Sequence, residues 1–152
     1  MDMYRWDWLA RRHEDAFDPH RQIVDAHHHL WSNRSGEYLA ADLQADTSAT
    51  HNITHTVFVE CMAEYDRDAP EYLAPVGETS FVAAQAAECR ANGGSQIGAI
   101  VSYADMMLGD AVDEVLEAHD AAGAGLFRGI RHATGLDADA GSSPTRGNRF
   151  PG

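Results

Sequence analysis

Three consecutive histidines close a short apolar run in "QIVDAHHHLW", residues 22–31. Successive side chains of an extended strand point to opposite faces, which places Ile23, Asp25, His27 and His29 on one side and Val24, Ala26 and His28 on the other. His27 and His29 then converge on a single point, while His28 faces a helical layer or a neighbouring loop. Two neutral imidazoles at this spacing suit Zn, Mn, Fe or Ni. A catalytic zinc site takes about three protein ligands plus water, so at least one more His, Asp or Glu must come from elsewhere. The HxH pattern alone is weak in a chain with 9 histidines. Its position at the C-terminal end of a strand, where βα architectures collect their active sites, gives it weight.

The elements that must hold these residues alternate in period. β-branched or apolar runs appear as "QIVDAH", "HTVFVEC", "QIGAIVSY" and "LFRGIRH", predicting strands that begin near residues 22, 55, 96 and 126. Helical patterns separate them. "YLAADLQADTSA" is the first, and "TSFVAAQAAECRANGG" the second, with Thr79 or Ser80 as N-cap and Gly93 as the stop. "GDAVDEVLEAHDAAGAG" is the third, capped by Asp110, with Val112, Val115, Leu116 and His119 on one face. His119 on that apolar stripe is read as a half-buried packing residue. Strict alternation of strand and helix demands parallel strands with crossover helices, hence an α/β chain. Residues 1–21 read as an N-terminal segment with a short helix lying across the body of the fold. Residues 22–135 read as the folded domain, and 136–152, rich in Gly, Ser, Pro and Asp, as an irregular tail.

Each strand ends in polar residues: Glu60 and Glu64 after the second, Tyr103 and Asp105 after the third, Arg131 and His132 after the fourth. Together they make an active-site rim, although each alone is equally a solvated loop residue. Arg131 has two readings, a bidentate clamp for a substrate carboxylate or a brace for Asp25 or Glu60. Cys61, at the end of an apolar run, reads as a small core residue.

A formal net charge of -13 repels phosphate backbones and anionic lipid, which argues against nucleic acid and membrane partners. No run of about 18 apolar residues occurs, and the opening residues lack the apolar segment of a secretory signal. The two cysteines, Cys61 and Cys89, are too few and too far apart for a disulfide framework or a CxxC unit. A cytoplasmic protein with reduced thiols is the expectation.

"IVDAHHHLW" resembles the first-strand signature of the amidohydrolase superfamily, in the amidohydrolase-related branch that includes lactone hydrolases and some decarboxylases. "HNITHTVFVECMAEY", "PVGETSFVAAQAAE" and "ADMMLGDAVDEVLEAHDAAGAGLFRGIRHAT" resemble that branch in order and spacing. The resemblance spans residues 5–137 and implies a (β/α)8 TIM-type barrel in which His27 and His29 bind a divalent metal, zinc first, or position substrate in metal-independent members. It also implies further histidines from the fifth and sixth strands and a general-base aspartate from the eighth. Such barrels take about 250 residues, so about the first four βα units of an incomplete barrel are expected here. The expected activity is hydrolysis of a lactone or amide carbonyl in a small carbonyl- or carboxylate-bearing substrate, with His27 and His29 as metal ligands and Arg131 and His132 in catalytic roles. The alternatives are a non-catalytic fragment and a divalent-metal-binding module. Open barrel edges predict self-association.

Overall fold

The computed structural model describes residues 8, 11, 12, 14–34 and 36–133. The predicted N-terminal helix, apart from Trp8, and the predicted tail lie outside the described residues.

Strand β1 (Gln22–His28) is followed by a short antiparallel pair, β2 (Trp31–Arg34) and β3 (Gly36–Tyr38), then helix α1 (Ala40–Thr47). Next come β4 (Asn52–Val59), α2 (Val76–Asn92), β5 (Gln96–Ser102), a 3-10 turn (Met106–Ala111), α3 (Val112–Ala122) and β6 (Phe127–Ile130). The four main strands form one all-parallel sheet in the order β1-β4-β5-β6. This is the α/β chain that the alternating periods predict, with each long strand at its expected place. The β2–β3 pair was not anticipated; it is held by Trp31 stacked on Tyr38 at 5.4 Å. No helix among the described residues is long and apolar enough to cross a membrane.

Helices cover the sheet because their stripes are apolar and small. In α2, Thr79, Val82, Ala83, Ala86 and Cys89 are buried at helical spacing, and the alanines let the helix sit close against the strands. Phe58 and Ile100, paired across β4 and β5, meet this layer with Leu30, Leu43 and Ile97. Each such side chain contributes about 1.5–3 kcal/mol on burial. Cys89 is part of the core and Cys61 packs at its edge, its thiol facing the Leu30 carbonyl at 3.5 Å.

Two helix starts differ from expectation. Helix α2 begins at Val76 behind Pro75, not at Thr79 or Ser80; proline suits a helix entrance because the first N–H groups have no intrahelical partner. Helix α3 begins at Val112 behind Ala111 with no side-chain cap, so Asp110 is not the cap; Asp105 instead caps the 3-10 turn, accepting from the Met107 N–H at 2.9 Å. Gly93 does end α2, with φ at 74°.

Candidate functional site

Residues one step past the strand ends, His29, Glu60, Tyr103 and Arg131, stand at the C-terminal end of the sheet because parallel pairing aligns Val59 with Val101 and Ser102 with Ile130. The ladder runs on past the strands: the Glu60 N–H donates to the Val101 carbonyl and the Arg131 N–H to the Ser102 carbonyl, both at 2.8 Å.

His27 and His29 are neighbours, their ring centroids 4.9 Å apart and nearly perpendicular. Nδ1 of His29 lies 2.8 Å from the Val59 carbonyl. A carbonyl only accepts, so Nδ1 carries the proton and Nε2 presents a lone pair; this is the arrangement that orients histidine ligands in metal sites. Burial lowers the His29 pKa, the Val59 carbonyl opposing that shift, and the ring stays neutral at pH 7. His28 turns the other way, 8% exposed and edge-on to Phe58 at 5.8 Å.

The simple alternation along β1 does not hold throughout. Asp25 pairs with Thr56 and His28 with Phe58, so three steps of β1 run against two of β4. An extra residue of this kind reverses which face the following side chains take. Val24 is 59% exposed while His28 is buried. The Asp25 carboxylate accepts from the His27 N–H at 3.1 Å.

Arg131 resolves to a brace for Glu60. Its Nε and Nη2 donate to Glu60 Oε1 at 3.1 and 2.9 Å, and Nη2 also donates to the Glu60 carbonyl at 2.7 Å. The Glu60 side chain is 4% exposed and that of Arg131 42%, so the pair anchors a buried carboxylate with a guanidinium reaching solvent. Asp25 is not part of it. Nη1 of Arg131 has no partner among the described residues. His132 accepts the Met106 N–H on Nδ1 at 3.0 Å, lies 3.8 Å from the Asp105 carboxylate and tilts over Tyr103 at 5.6 Å. Glu64 is turned away to the β2–β3 pair, where Oε1 accepts from Ser32 Oγ at 2.7 Å.

Two buried groups stand behind the rim, of which sequence singled out only His119. Glu78, 2% exposed, accepts the N–H groups of Cys61 at 3.1 Å and Ala63 at 2.7 Å on one oxygen, shaping the turn after β4. Its helical position in "GETSF" carried no sign of that role. His119, expected to be half-buried, is fully buried and doubly bonded: Nε2 donates to the Tyr103 carbonyl at 3.0 Å, and Nδ1 meets the Thr79 hydroxyl at 2.8 Å. Thr79 in turn bonds Ser102 at 2.7 Å, so α2, α3 and β5 are tied together beneath the rim.

The donor set for a divalent ion is two imidazoles, and no group of three or more His, Cys, Asp or Glu suited to a metal is present among the described residues. The neutral, tethered His29 ring fits a ligand role. Of two depressions on the surface, one of about 540 Å³ lined by His51, Asn52, His55 and Ser95 lies at the opposite strand ends. The other, of about 530 Å³, adjoins the rim and includes Tyr103 and Asp105 in its wall.

The fold and rim define a mixed α/β protein with a parallel four-stranded sheet and a histidine-lined strand edge. Compared with known protein families, with characterised proteins and with solved structures, the chain matches none.

Proposed function

We propose that residues 22–133 form four βα units of a (β/α)8-type barrel of the amidohydrolase-related branch, and that the rim belongs to a site hydrolysing a lactone or amide carbonyl. The observation that carries this reading is the HxH pair at the end of β1, rings 4.9 Å apart, with His29 held by the Val59 carbonyl through Nδ1 so that Nε2 keeps its lone pair. In this reading His27 and His29 hold a divalent ion, zinc first. When bound, such an ion polarises a carbonyl and acidifies a water. Arg131, fixed by Glu60, offers Nη1 to a substrate carboxylate, and His132 flanks the reacting group. The remaining donors and the general base come from outside the described residues.

Equilibrium dialysis against zinc, on the native chain and on His27→Ala/His29→Ala, tests the ligands. Bound zinc in the native chain that disappears in the double variant is the expected result; unchanged zinc removes both residues from the site. A panel of small lactones followed by acid release tests the reaction, with turnover lost in the same variant. Zinc bound without turnover of any lactone or amide assigns the rim to a metal-binding module instead.

The reading also leaves β1 and β6 as open sheet edges, with Val24 exposed on the first. A second copy pairing there would complete the sheet. Sedimentation of the native chain is expected to show concentration-dependent association, and a compact monomer at all concentrations rejects that pairing.

A further inference from the structure

The depression beside the rim has a composition that the hydrolytic reading does not use. Three tyrosines, Tyr65, Tyr72 and Tyr103, line a space of about 530 Å³ together with Glu71, Asp105 and Met62. This volume falls within the range of small-molecule sites, which run from roughly 300 to 1,000 Å³. Aromatic faces carry negative potential and attract cations, most strongly where several rings share a desolvated space. Here the wall adds two carboxylates and a polarizable methionine sulfur, and no Arg, Lys or His is among its described lining. The Tyr72 hydroxyl donates to both oxygens of Glu114, at 3.2 and 3.3 Å. Donation into a carboxylate pushes electron density back into the phenol ring, which deepens its attraction for a positive charge.

We infer that this pocket, between the Pro70–Pro75 turn and the segment after β5, binds an organic cation of the quaternary-ammonium class through its tyrosine faces and the Glu71 and Asp105 carboxylates. A small inorganic ion suits it poorly, because such an ion keeps its water where the wall offers rings in place of oxygen ligands. A neutral apolar group gains nothing from the negative potential of the Glu71 and Asp105 side chains in the wall. The assignment is independent of the hydrolytic reading, and a failed lactone assay leaves it standing.

Choline is the probe, titrated into the full chain by calorimetry at constant ionic strength set with sodium chloride, which cancels the general attraction of a -13 chain for any cation. Its neutral tert-butyl analogue, with carbon in place of the quaternary nitrogen, has the same shape. The expected result is saturable choline binding at least about tenfold tighter than that of the analogue. Glu71→Gln, at an exposed position, is expected to weaken choline several-fold. Tyr72→Phe, which keeps the ring and loses Glu114, is expected to lie between native and Tyr72→Leu. Equal binding of choline and analogue, no saturable binding of choline, or choline binding unchanged in Glu71→Gln and Tyr72→Leu overturns the proposal. The native comparison needs no variant to fold.

Discussion

His28 and Glu78 are buried titratable side chains whose effects on stability oppose each other. Burial lowers the His28 pKa from 6.5 to about 4, tempered by the Asp25 charge and by a marginal approach to the Val57 carbonyl; neither ring nitrogen has a well-formed hydrogen bond. As pH falls from 6.5 to 4, the unfolded chain takes up a proton that the folded chain refuses, and stability drops across that window by about 3 kcal/mol. Glu78 runs the other way. Burial, only partly offset by the Cys61 and Ala63 N–H groups, raises its pKa from 4.5 to about 7, so its contribution is complete below pH 4.5 and is lost as pH rises through 7. Between pH 4.5 and 6.5 the two slopes largely cancel. Glu78→Gln keeps the oxygen that accepts both N–H groups and removes the titration. Urea midpoints for that variant are expected to fall more steeply on acidification through this window than native midpoints; parallel curves would refute the pairing. His28→Leu removes two unsatisfied nitrogens from beside Phe58 and is expected to gain about 1 kcal/mol at pH 7. A loss of stability there would mean that the ring is bonded after all. Of the two, sequence singled out only His28, whose direction opposite to His27 and His29 follows from strand alternation. The register shift between Asp25 and His28 leaves no mark in composition.

Helix α2 shows how an element is positioned by contacts that its own sequence does not announce. Its apolar stripe and its glycine stop are plain in "FVAAQAAECRANGG", yet its start was misplaced by one turn. Thr79, a good cap by type, instead spends its hydroxyl on Ser102 and His119 in the interior. The entrance is governed by Gly77, where an added Cβ would stand 2.6 Å from both the Asp66 nitrogen and the Glu64 carbonyl oxygen. These are backbone atoms of a turn already carrying positive φ at Met62 and Glu64, so they have little room to yield. Alanine in an unhindered helix gains about 1 kcal/mol over glycine. Gly77→Ala is expected to lose about 2–3 kcal/mol instead, and denaturant unfolding decides the sign. The same turn carries Glu60 to Arg131, so the variant is also expected to disturb the rim.

For the whole molecule, the net charge of -13 sets a global term. With 24 acidic residues against 11 basic ones, the folded chain repels itself more than the expanded one does, and salt relieves that repulsion. Raising sodium chloride from about 0.05 to 0.5 M, which shortens the screening length roughly threefold, is expected to raise Tm by about 2–4 °C per kcal/mol recovered. A flat or falling Tm in thermal circular dichroism would show that favourable pairs outweigh the repulsion. The buried Glu60 end of the Arg131 bridge responds weakly to salt, since screening acts mainly on exposed charges.

The sequence by itself determined the α/β class, the four parallel strands, the three covering helices and the pairing of His27 with His29. All of these follow from short-range periodicity: alternation in strands, a 3.6-residue repeat in helices, and an i, i+2 spacing that keeps two side chains on one face. Tertiary structure alone decided that Arg131 braces Glu60 instead of Asp25, that Glu78 reaches back to the turn after β4, and that His119 closes a buried chain of hydrogen bonds. It also decided that tyrosines 31 residues or more apart, Tyr72 and Tyr103, line one pocket. These contacts join residues distant along the chain, and their partners are chosen by strand register and by the few ways of satisfying a buried polar group, neither of which leaves a local pattern to read.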